Sequence, residues 1–379
     1  MNNRFGMEYG DKAVKAFAQS LEVQFKAPFL VFRNSGNEFC IITPSKESEN
    51  KPDLFETTLK LALRYYEKNN NERPINICVG IANYPEHGSK KGKLVRCAHL
   101  ANQWAKDTGK WLCYYQSDIE IAYLRRVKIE ERLAIALTNK TLSMVYQCQV
   151  DEQGKILAME ALVRWKDDEL GMVSPAEFIT IAEQSDLIYK IGDFVLERSI
   201  SEFVTMQQHS NTSLELAINI SVMQFKSGAF IPTLLRCLQT YDLAPQSIVL
   251  EITESLFMDN LDNVVDTIKS LKSQGIRFSM DDFGTGYSSL SLLRNLPIDE
   301  LKIDKSFIDD ILTDPKSNSM VQSIIAIANS HNLSVIAEGV EEQAQFDILV
   351  DIGCKRFQGY YFYKPVGSSA VSEYLQQCK

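Results

Sequence analysis

The chain has 379 residues, 45% hydrophobic and 23% charged, a composition typical of globular proteins and, at this length, of two or three domains. A formal net charge of −9 without a basic run argues against binding to DNA or RNA polymers. Eight scattered cysteines without a C-x-x-C pair, and four distant histidines, argue against a disulfide framework and a zinc site. We find no signal peptide and no membrane-spanning apolar run, so we expect a cytoplasmic protein or the cytosolic part of a longer one.

Residues 1–116 alternate between short apolar runs and amphipathic stretches, which predicts a small α/β domain. The expected elements are strands at 29–32 and 39–42 joined by a hairpin turn, a helix at 57–66, a strand at 75–82 and a helix at 95–106.

The hairpin turn, Ser35-Gly36-Asn37-Glu38-Phe39, resembles the signature of GGDEF diguanylate cyclase domains, with a Ser and an Asn replacing the first Gly and the Asp. The resemblance implies that the family's opening strand and helix, with a metal-binding Asp, would lie before the first residue. Residues 26–29, Lys-Ala-Pro-Phe, have neither the Arg nor the Asp of the family's inhibitory Arg-x-x-Asp. We therefore expect a degenerate, partial GGDEF-like domain that does not make cyclic di-GMP and has a structural, regulatory or dimerising role.

Residues 117–139 are predicted to form a linker helix. Ile119, Tyr123 and Val127 step by four along one face, and charged residues fill the other. A charge run of this kind is usually a solvated face, and transmission of a signal between domains is the alternative.

Residues 140–379 contain eight strand-like runs, with helical patterns between most of them. The strands are expected at 142–150, 156–165, 214–221, 248–253, 276–282, 300–303, 334–338 and 355–361, and helices at 178–184, 231–240, 264–274, 320–330 and 343–353. This order predicts a (β/α)₈ barrel. An open doubly wound sheet is the alternative, but no Gly-rich dinucleotide turn favours it.

Active sites of such barrels lie where the strands reach their C-terminal ends. The polar residues at these ends are Glu160, Asn219, Glu251, Asp281, Asp282, Lys302, Asp304, Glu338 and Gln358. For single residues the plain alternatives are a solvated Asp-Asp turn or salt-bridged core acids. These alternatives explain the whole set less well than a functional site does, because unpaired buried acids are costly and only one Lys accompanies them.

All these candidate ligands are oxygen donors, which favours a hard cation, Mg²⁺ or Mn²⁺. Five carboxylates and an amide suffice for two cations that share a bridging Asp, activate a water and clamp a phosphodiester. Lys302 could assist the attacking water or the charge that builds on the phosphate.

The same residues carry a second resemblance. The run Glu160-Ala161-Leu162-Val163-Arg164-Trp165 looks like the naming motif of EAL-domain cyclic di-GMP phosphodiesterases. Further motifs of that family follow in order, at 219–221, 251–254, 281–290, 301–304, 337–341 and 358–360. The resemblance implies metal-dependent hydrolysis of cyclic di-GMP to linear pGpG, a barrel whose first strand is antiparallel, and a homodimer.

Roles follow from the resemblance residue by residue. It implies that one metal is held by Glu160, Asn219, Glu251 and Asp281, and that Asp281 bridges to a second metal that Asp282 helps to bind. Lys302 and Glu338 would hold the catalytic waters, and Glu254 would brace the loop at 282–287. The implied substrate contacts are Gln147, Leu162, Arg164, Asp304, Glu341 and Gln358. Cys148 departs from the family, which usually has Pro there. The alternatives are a catalytically silent cyclic di-GMP receptor and an unrelated metal-dependent barrel enzyme.

Overall fold

The computed structural model describes residues 7–43, 53–70, 75–210, 213–257, 261–284 and 296–377. The chain forms two compact units, Met1–Arg125 and Arg126–Lys379. No helix in the described ranges is long and apolar enough to cross a membrane.

The first unit has helices on two small sheets. Its elements are α1 (Met7–Gln24), β1 (Leu30–Ser35), β2 (Glu38–Ile42), α2 (Asp53–Asn70), β3 (Val79–Ile81), α3 (Lys91–Asp107) and β4 (Leu112–Tyr114). Strands β1 and β2 form the predicted antiparallel hairpin, and Gly36 takes the positive φ of its turn. Strands β3 and β4 pair in parallel. The sequence prediction lacked α1 and β4.

Helix α4 (Ser117–Asn139) has the bounds of the predicted linker helix. Within the second unit, Ile129 and Leu133 of this helix are fully buried in the hydrophobic core. On its outer side, Arg132 pairs with Asp167 at 2.9 Å. The charged face of this part of the helix is therefore anchored rather than simply solvated.

The second unit is built from nine strands among its described residues. They are β5 (Ser143–Asp151), β6 (Ile156–Asp167), β7 (Gly171–Val173), β8 (Glu215–Asn219), β9 (Ile248–Thr253), β10 (Arg277–Phe283), β11 (Glu300–Ile303), β12 (Ser334–Ala337) and β13 (Arg356–Phe357). All eight predicted strands are present, and β13 is shorter than expected. Strand β7, which pairs only with the end of β6, was not predicted.

Helices cover the outside of this sheet. They are α5 (Pro175–Glu183), α6 (Leu187–Gln207), α7 (Val222–Lys226), α8 (Phe230–Thr240), α9 (Leu261–Ser273), α10 (Lys305–Asp309), α11 (Pro315–Ser330), α12 (Gln343–Asp351) and α13 (Ser368–Gln377). Of these, α6, α7, α10 and α13 were missing from the sequence prediction.

Eight strands close into a barrel in the order β6-β8-β9-β10-β11-β12-β13-β5, because β5 also pairs with β6. Strand β5 is antiparallel to both of its neighbours, and the other pairs are parallel. The predicted (β/α)₈ barrel with an antiparallel first strand is therefore confirmed. Side chains alternate in and out along each strand. On β9, Ile248, Leu250 and Ile252 join the core under the helices, whereas Glu251 points into the barrel.

A layer of ion pairs lies where the strands begin, at the end of the barrel opposite the predicted site. Glu215, the first residue of β8, accepts hydrogen bonds from Arg277 and from Arg356, the latter at 2.7 Å. Arg356 also donates to Glu300 at 3.1 Å, and Ser334 to the same oxygen at 3.2 Å. Since each residue opens its strand, the layer fixes the strands at their N-terminal ends.

Replacing Arg356 with Met should lower the free energy of unfolding by about 2 kcal/mol, because Glu300 is buried and would lose a charged hydrogen bond. Urea unfolding would measure the loss. Arg198→Met is the control, since Arg198 pairs with Glu202 on the surface and should contribute no more than about 0.5 kcal/mol. Equal effects of the two variants would show that the layer does not stabilise the barrel.

Candidate active site

Lys302 is the centre of the site. It lies on β11, its side chain is 1% exposed, and its Nζ contacts four carboxylates from four other parts of the barrel. The distances from Nζ are 2.7 Å to Glu338, 3.0 Å to Glu251, 3.3 Å to Asp281 and 3.8 Å to Glu160. The C-terminal ends of the strands thus bring together these five predicted residues at the mouth of the barrel.

Negative charge exceeds positive charge in this cluster. Burial alone would lower the pKa of Lys302, but the surrounding carboxylates raise it well above its usual value. Burial, together with the neighbouring acids, raises the pKa of Glu251. Burial also raises the pKa of Glu338, against the opposing effect of Lys302. One ammonium therefore neutralises four acids incompletely.

Glu160 is held from both sides by amides. Asn219, at the end of β8, donates through Nδ2 to Glu160 Oε1 at 2.6 Å. Gln358, just after β13, donates through Nε2 to Glu160 Oε2 at 2.6 Å. Burial works to raise the pKa of Glu160, but Lys302 and these amides outweigh it and lower the pKa. Glu160 is thus a fixed, ionised carboxylate, and the Asn219 carbonyl oxygen is left for another partner.

Gln358 is positioned by a close approach of two backbones. Its N–H donates to Ala337 O at 2.9 Å, and its C=O accepts from Val340 N at 3.1 Å. A Cβ on Gly359 would lie 1.9 Å from Val340 O, so only glycine allows this approach.

The oxygens of Glu251 suit a divalent cation. Both are buried and accept no hydrogen bond from the residues described, so the contact with Lys302 is ionic only. Among these residues, no three His, Cys, Asp or Glu side chains already form a metal-binding group, and the Lys302 ammonium lies between the acids. The donors are nevertheless all hard oxygens with surplus negative charge and an unsatisfied carboxylate. This set fits Mg²⁺ or Mn²⁺.

A bulge in β10 contains the two adjacent aspartates. Met280 pairs with Leu301 and Phe283 with Ile303, which leaves one extra residue on β10. Asp282 takes a φ of +53°. Asp281 faces Lys302, whereas the pKa of Asp282 is raised by burial and by the charges of Asp281 and Asp304. The strand thus runs through the pair instead of ending at it, and the bulge breaks the regular alternation of side chains, so that Asp281 and Asp282 together stand opposite Lys302 in the strand register.

Glu254 contacts the start of the predicted loop. Its Oε1 accepts a hydrogen bond from Gly284 N at 3.4 Å, in keeping with the bracing contact expected from the sequence. The rest of that loop, residues 285–287 among them, lies outside the described residues.

Four of the six residues predicted to contact a substrate fall into two groups. Gln147 and Gln358 lie in the buried cluster, where Gln358 donates to Gln147 Oε1 at 3.2 Å. Leu162 and Arg164 follow Glu160 on β6, and burial lowers the pKa of the Arg164 guanidinium.

Two further predicted contacts lie outside the acid cluster. Asp304 caps α10 by accepting from Ser306 N at 3.0 Å. Glu341 forms an exposed ion pair with Lys305. The structure therefore gives both side chains local partners.

Two residues of the site were missed by sequence reasoning. Lys305 gave no signal, because it stands in an ordinary polar helix start. Gln149 did give one, since it lies two residues after Gln147 on the same strand and so on the same face. It is 1% exposed and hydrogen-bonds Gln358.

Comparison with known proteins agrees with this geometry. A family model described as the EAL domain matches residues 130–365, and one described as the diguanylate cyclase GGDEF domain matches residues 1–111. The bifunctional diguanylate cyclase/cyclic di-GMP phosphodiesterase MucR of Pseudomonas aeruginosa is 31% identical over 97% of this chain and 54% of its own length. The cyclic di-GMP phosphodiesterase PdeR of Escherichia coli is 31% identical over 100% of this chain and 57% of its own.

The chain thus spans about half the length of the curated relatives it matches. A solved structure, the PaMucR phosphodiesterase in complex with c-di-GMP, superimposes with a TM-score of 0.62 at 33% identity, over 64% of this chain and 99% of that one. The family match covers the barrel that carries the acid cluster. This chain therefore belongs to the EAL-domain family and carries a GGDEF-type region ahead of its EAL domain.

Proposed function

We propose that the second unit hydrolyses cyclic di-GMP to linear pGpG in a reaction that depends on Mg²⁺ or Mn²⁺, as expected from the sequence. The observation that carries the proposal is the cluster of four acids around Lys302 at the barrel mouth. The names of the relatives MucR and PdeR support the substrate and the reaction class.

Five residues would hold the cations, two per site in our proposal: Glu160, Asn219, Glu251, Asp281 and Asp282. When bound, such cations lower the pKa of a water and polarise the phosphate oxygens. The amides on Glu160 and the bulge at Asp281 fix these side chains before any ligand arrives. Less reorganisation is then needed during the reaction.

Lys302 and Glu338 would act on the attacking water and the phosphate. A lysine whose pKa is raised stays protonated, so Lys302 can donate a hydrogen bond and stabilise negative charge on the phosphate, but it does not accept a proton. Glu338, 2.7 Å from Lys302 and closer to solvent, can accept a hydrogen bond from the water. Attack by water on phosphorus forms one P–O bond and breaks one P–O3′ bond, and a proton from the water ends on O3′, which leaves a 3′-hydroxyl and a 5′-phosphate.

Arg164 would bind the nucleotide. Its guanidinium can form paired charged hydrogen bonds with a phosphate, and its position two residues beyond Leu162 places both on the same face of β6. The pKa of Arg164 is lowered by burial, so an incoming anion would compensate a charge that lacks full solvation.

The first unit is proposed not to be a cyclase. Asn37 stands where the GGDEF signature has its Asp, so one carboxylate of that signature is missing from the turn. We therefore propose a structural, regulatory or dimerising role for this unit.

Chromatography of cyclic di-GMP after incubation with the purified chain tests the function. We expect pGpG to appear with Mg²⁺ or Mn²⁺ and not with chelator. Glu160→Gln should lower the rate by more than about 100-fold, since even outer partners of metal ligands contribute 10- to 100-fold. The exposed Gln153→Met change should have no effect.

Each outcome of this experiment is decisive. Binding of the nucleotide without product in every metal would favour the silent receptor. Absence of both binding and turnover would contradict the proposal altogether. Full activity of Glu160→Gln would remove Glu160 from the metal site.

A further inference from the structure

A buried glutamine that the predicted site does not include lies behind the acid cluster. Gln149 on β5 is 1% exposed, and its Nε2 donates to Gln358 Oε1 at 2.9 Å. Gln147 lies on the same face of β5 and contacts the same Gln358 amide. The Gln147 Oε1 accepts a hydrogen bond from Gln358 Nε2 at 3.2 Å. Three glutamine amides thus pack side by side inside the barrel, and one of them, that of Gln358, donates to Glu160.

The chemistry of Glu160 fixes the direction of this chain of amides. An ionised carboxylate only accepts hydrogen bonds, so Gln358 must turn its NH₂ group toward Glu160. Its carbonyl oxygen then points the other way and needs a buried donor. Gln149 supplies that donor.

Three contacts favour this orientation, since Glu160 Oε2 and Gln147 Oε1 accept from the Gln358 NH₂ group and Gln149 donates to its carbonyl oxygen. A half-turn of the Gln358 amide would place its oxygen against Glu160 Oε2, where the NH₂ group now lies at 2.6 Å. Two acceptors facing each other would repel, and Glu160 would move or lose its partner. The Gln149 bond adds to this preference, because it gives the buried Gln358 carbonyl oxygen a donor in the orientation that Glu160 requires.

We propose that Gln149 is a positioning residue that acts through Gln358 to hold Glu160 in the geometry that a divalent cation requires. The inference rests on the proposed function, because it takes Glu160 to be a metal ligand. Gln149 itself contacts neither the cation nor the substrate. Its effect should therefore be seen in metal affinity and should disappear when Gln358 is removed.

A double-mutant cycle on the full chain tests the proposal. Mn²⁺ binding is measured by calorimetry without nucleotide for the wild type, Gln149→Met, Gln358→Met and the double variant. We expect Gln149→Met to weaken Mn²⁺ binding by about 10- to 100-fold, as for other partners of metal ligands. In the Gln358→Met background, Gln149→Met should change the affinity by less than about twofold, because coupled residues are not additive.

Two further variants separate positioning from simple folding. Gln149→Asn keeps the amide but is one methylene shorter, so it should weaken Mn²⁺ binding as Gln149→Met does, and it carries the test if the Met variant does not fold. Gln153→Met, an exposed glutamine just after β5, is the matched control and should bind as the wild type does.

Results against the positioning role differ from results against the metal site. Wild-type affinity in both Gln149 variants, or losses that simply add in the double variant, would overturn the positioning role and leave the proposed function intact. Failure of the wild-type chain to bind Mn²⁺ at all would overturn the metal site first, and this inference with it.

Discussion

Replacing Glu251 with Gln is expected to abolish turnover and, with chelator present, to make the protein more stable. Both Glu251 oxygens are buried and accept no hydrogen bond from the part of the chain that the structure describes, and four acids surround a single ammonium. The amide has nearly the same shape but no charge, and its NH₂ group can donate to the neighbouring carboxylates. The free energy of unfolding should rise by about 1 to 2 kcal/mol, the scale of an unsatisfied buried polar group.

A divalent cation should reverse this order of stability. A ligand that binds only the folded protein stabilises it by about 2.7 kcal/mol at 100 times its Kd. In excess Mn²⁺ the wild type should gain this stabilisation in full. The Glu251→Gln variant should gain much less, because it would lack one of the proposed metal ligands. Urea unfolding with chelator and with Mn²⁺ would measure both effects, and Glu197→Gln on the exposed side of α6 is the control. A variant that is less stable in chelator, or that keeps its activity, would contradict the expectation.

The barrel could be predicted because each strand has a simple signal. An apolar run of four to ten residues recurs eight times with helical patterns between most runs, and seven of the runs carry a candidate polar residue within or near their end. Strand β7 lacked such a signal, since three residues form a strand only because β6 extends beyond the barrel to pair with them. Helix α6 was missed although Ile188, Ile191 and Val195 show a helical spacing.

The site was predictable as a set of residues but not as an arrangement. Strand ends identify the acids, because parallel strands deliver their C-terminal residues to one mouth. The position of Lys302 among four of these acids depends on the stagger of the strands around the barrel. No local sequence pattern encodes this stagger. Likewise, the direction of the Gln358 amide follows from its contact with Glu160, and the direction of the Gln149 amide follows from its contact with Gln358.

Replacing Lys302 with Met is expected to have the largest combined effect. Among the described residues the Lys302 ammonium is in contact with all four acids of the cluster, and its removal leaves them buried against one another. Breaking a buried ion pair from one side typically costs about 3 to 5 kcal/mol of unfolding free energy. Turnover should fall by more than about 100-fold, because a preorganised positive charge near the phosphate is lost.

The two effects of Lys302→Met should respond differently to Mn²⁺. A cation bound by Glu160, Glu251 and Asp281 replaces the missing charge, so stability should recover in excess Mn²⁺. Turnover should not recover, because the cation would not supply the hydrogen-bond donor that Lys302 is proposed to offer to water and phosphate. Lys128→Met, which breaks an exposed pair with Glu169, is the control and should change neither quantity much. If Mn²⁺ restored both, Lys302 would serve only to neutralise the acids. If Mn²⁺ restored neither, a divalent cation would not replace the positive charge of Lys302, and the acids would not share a cation.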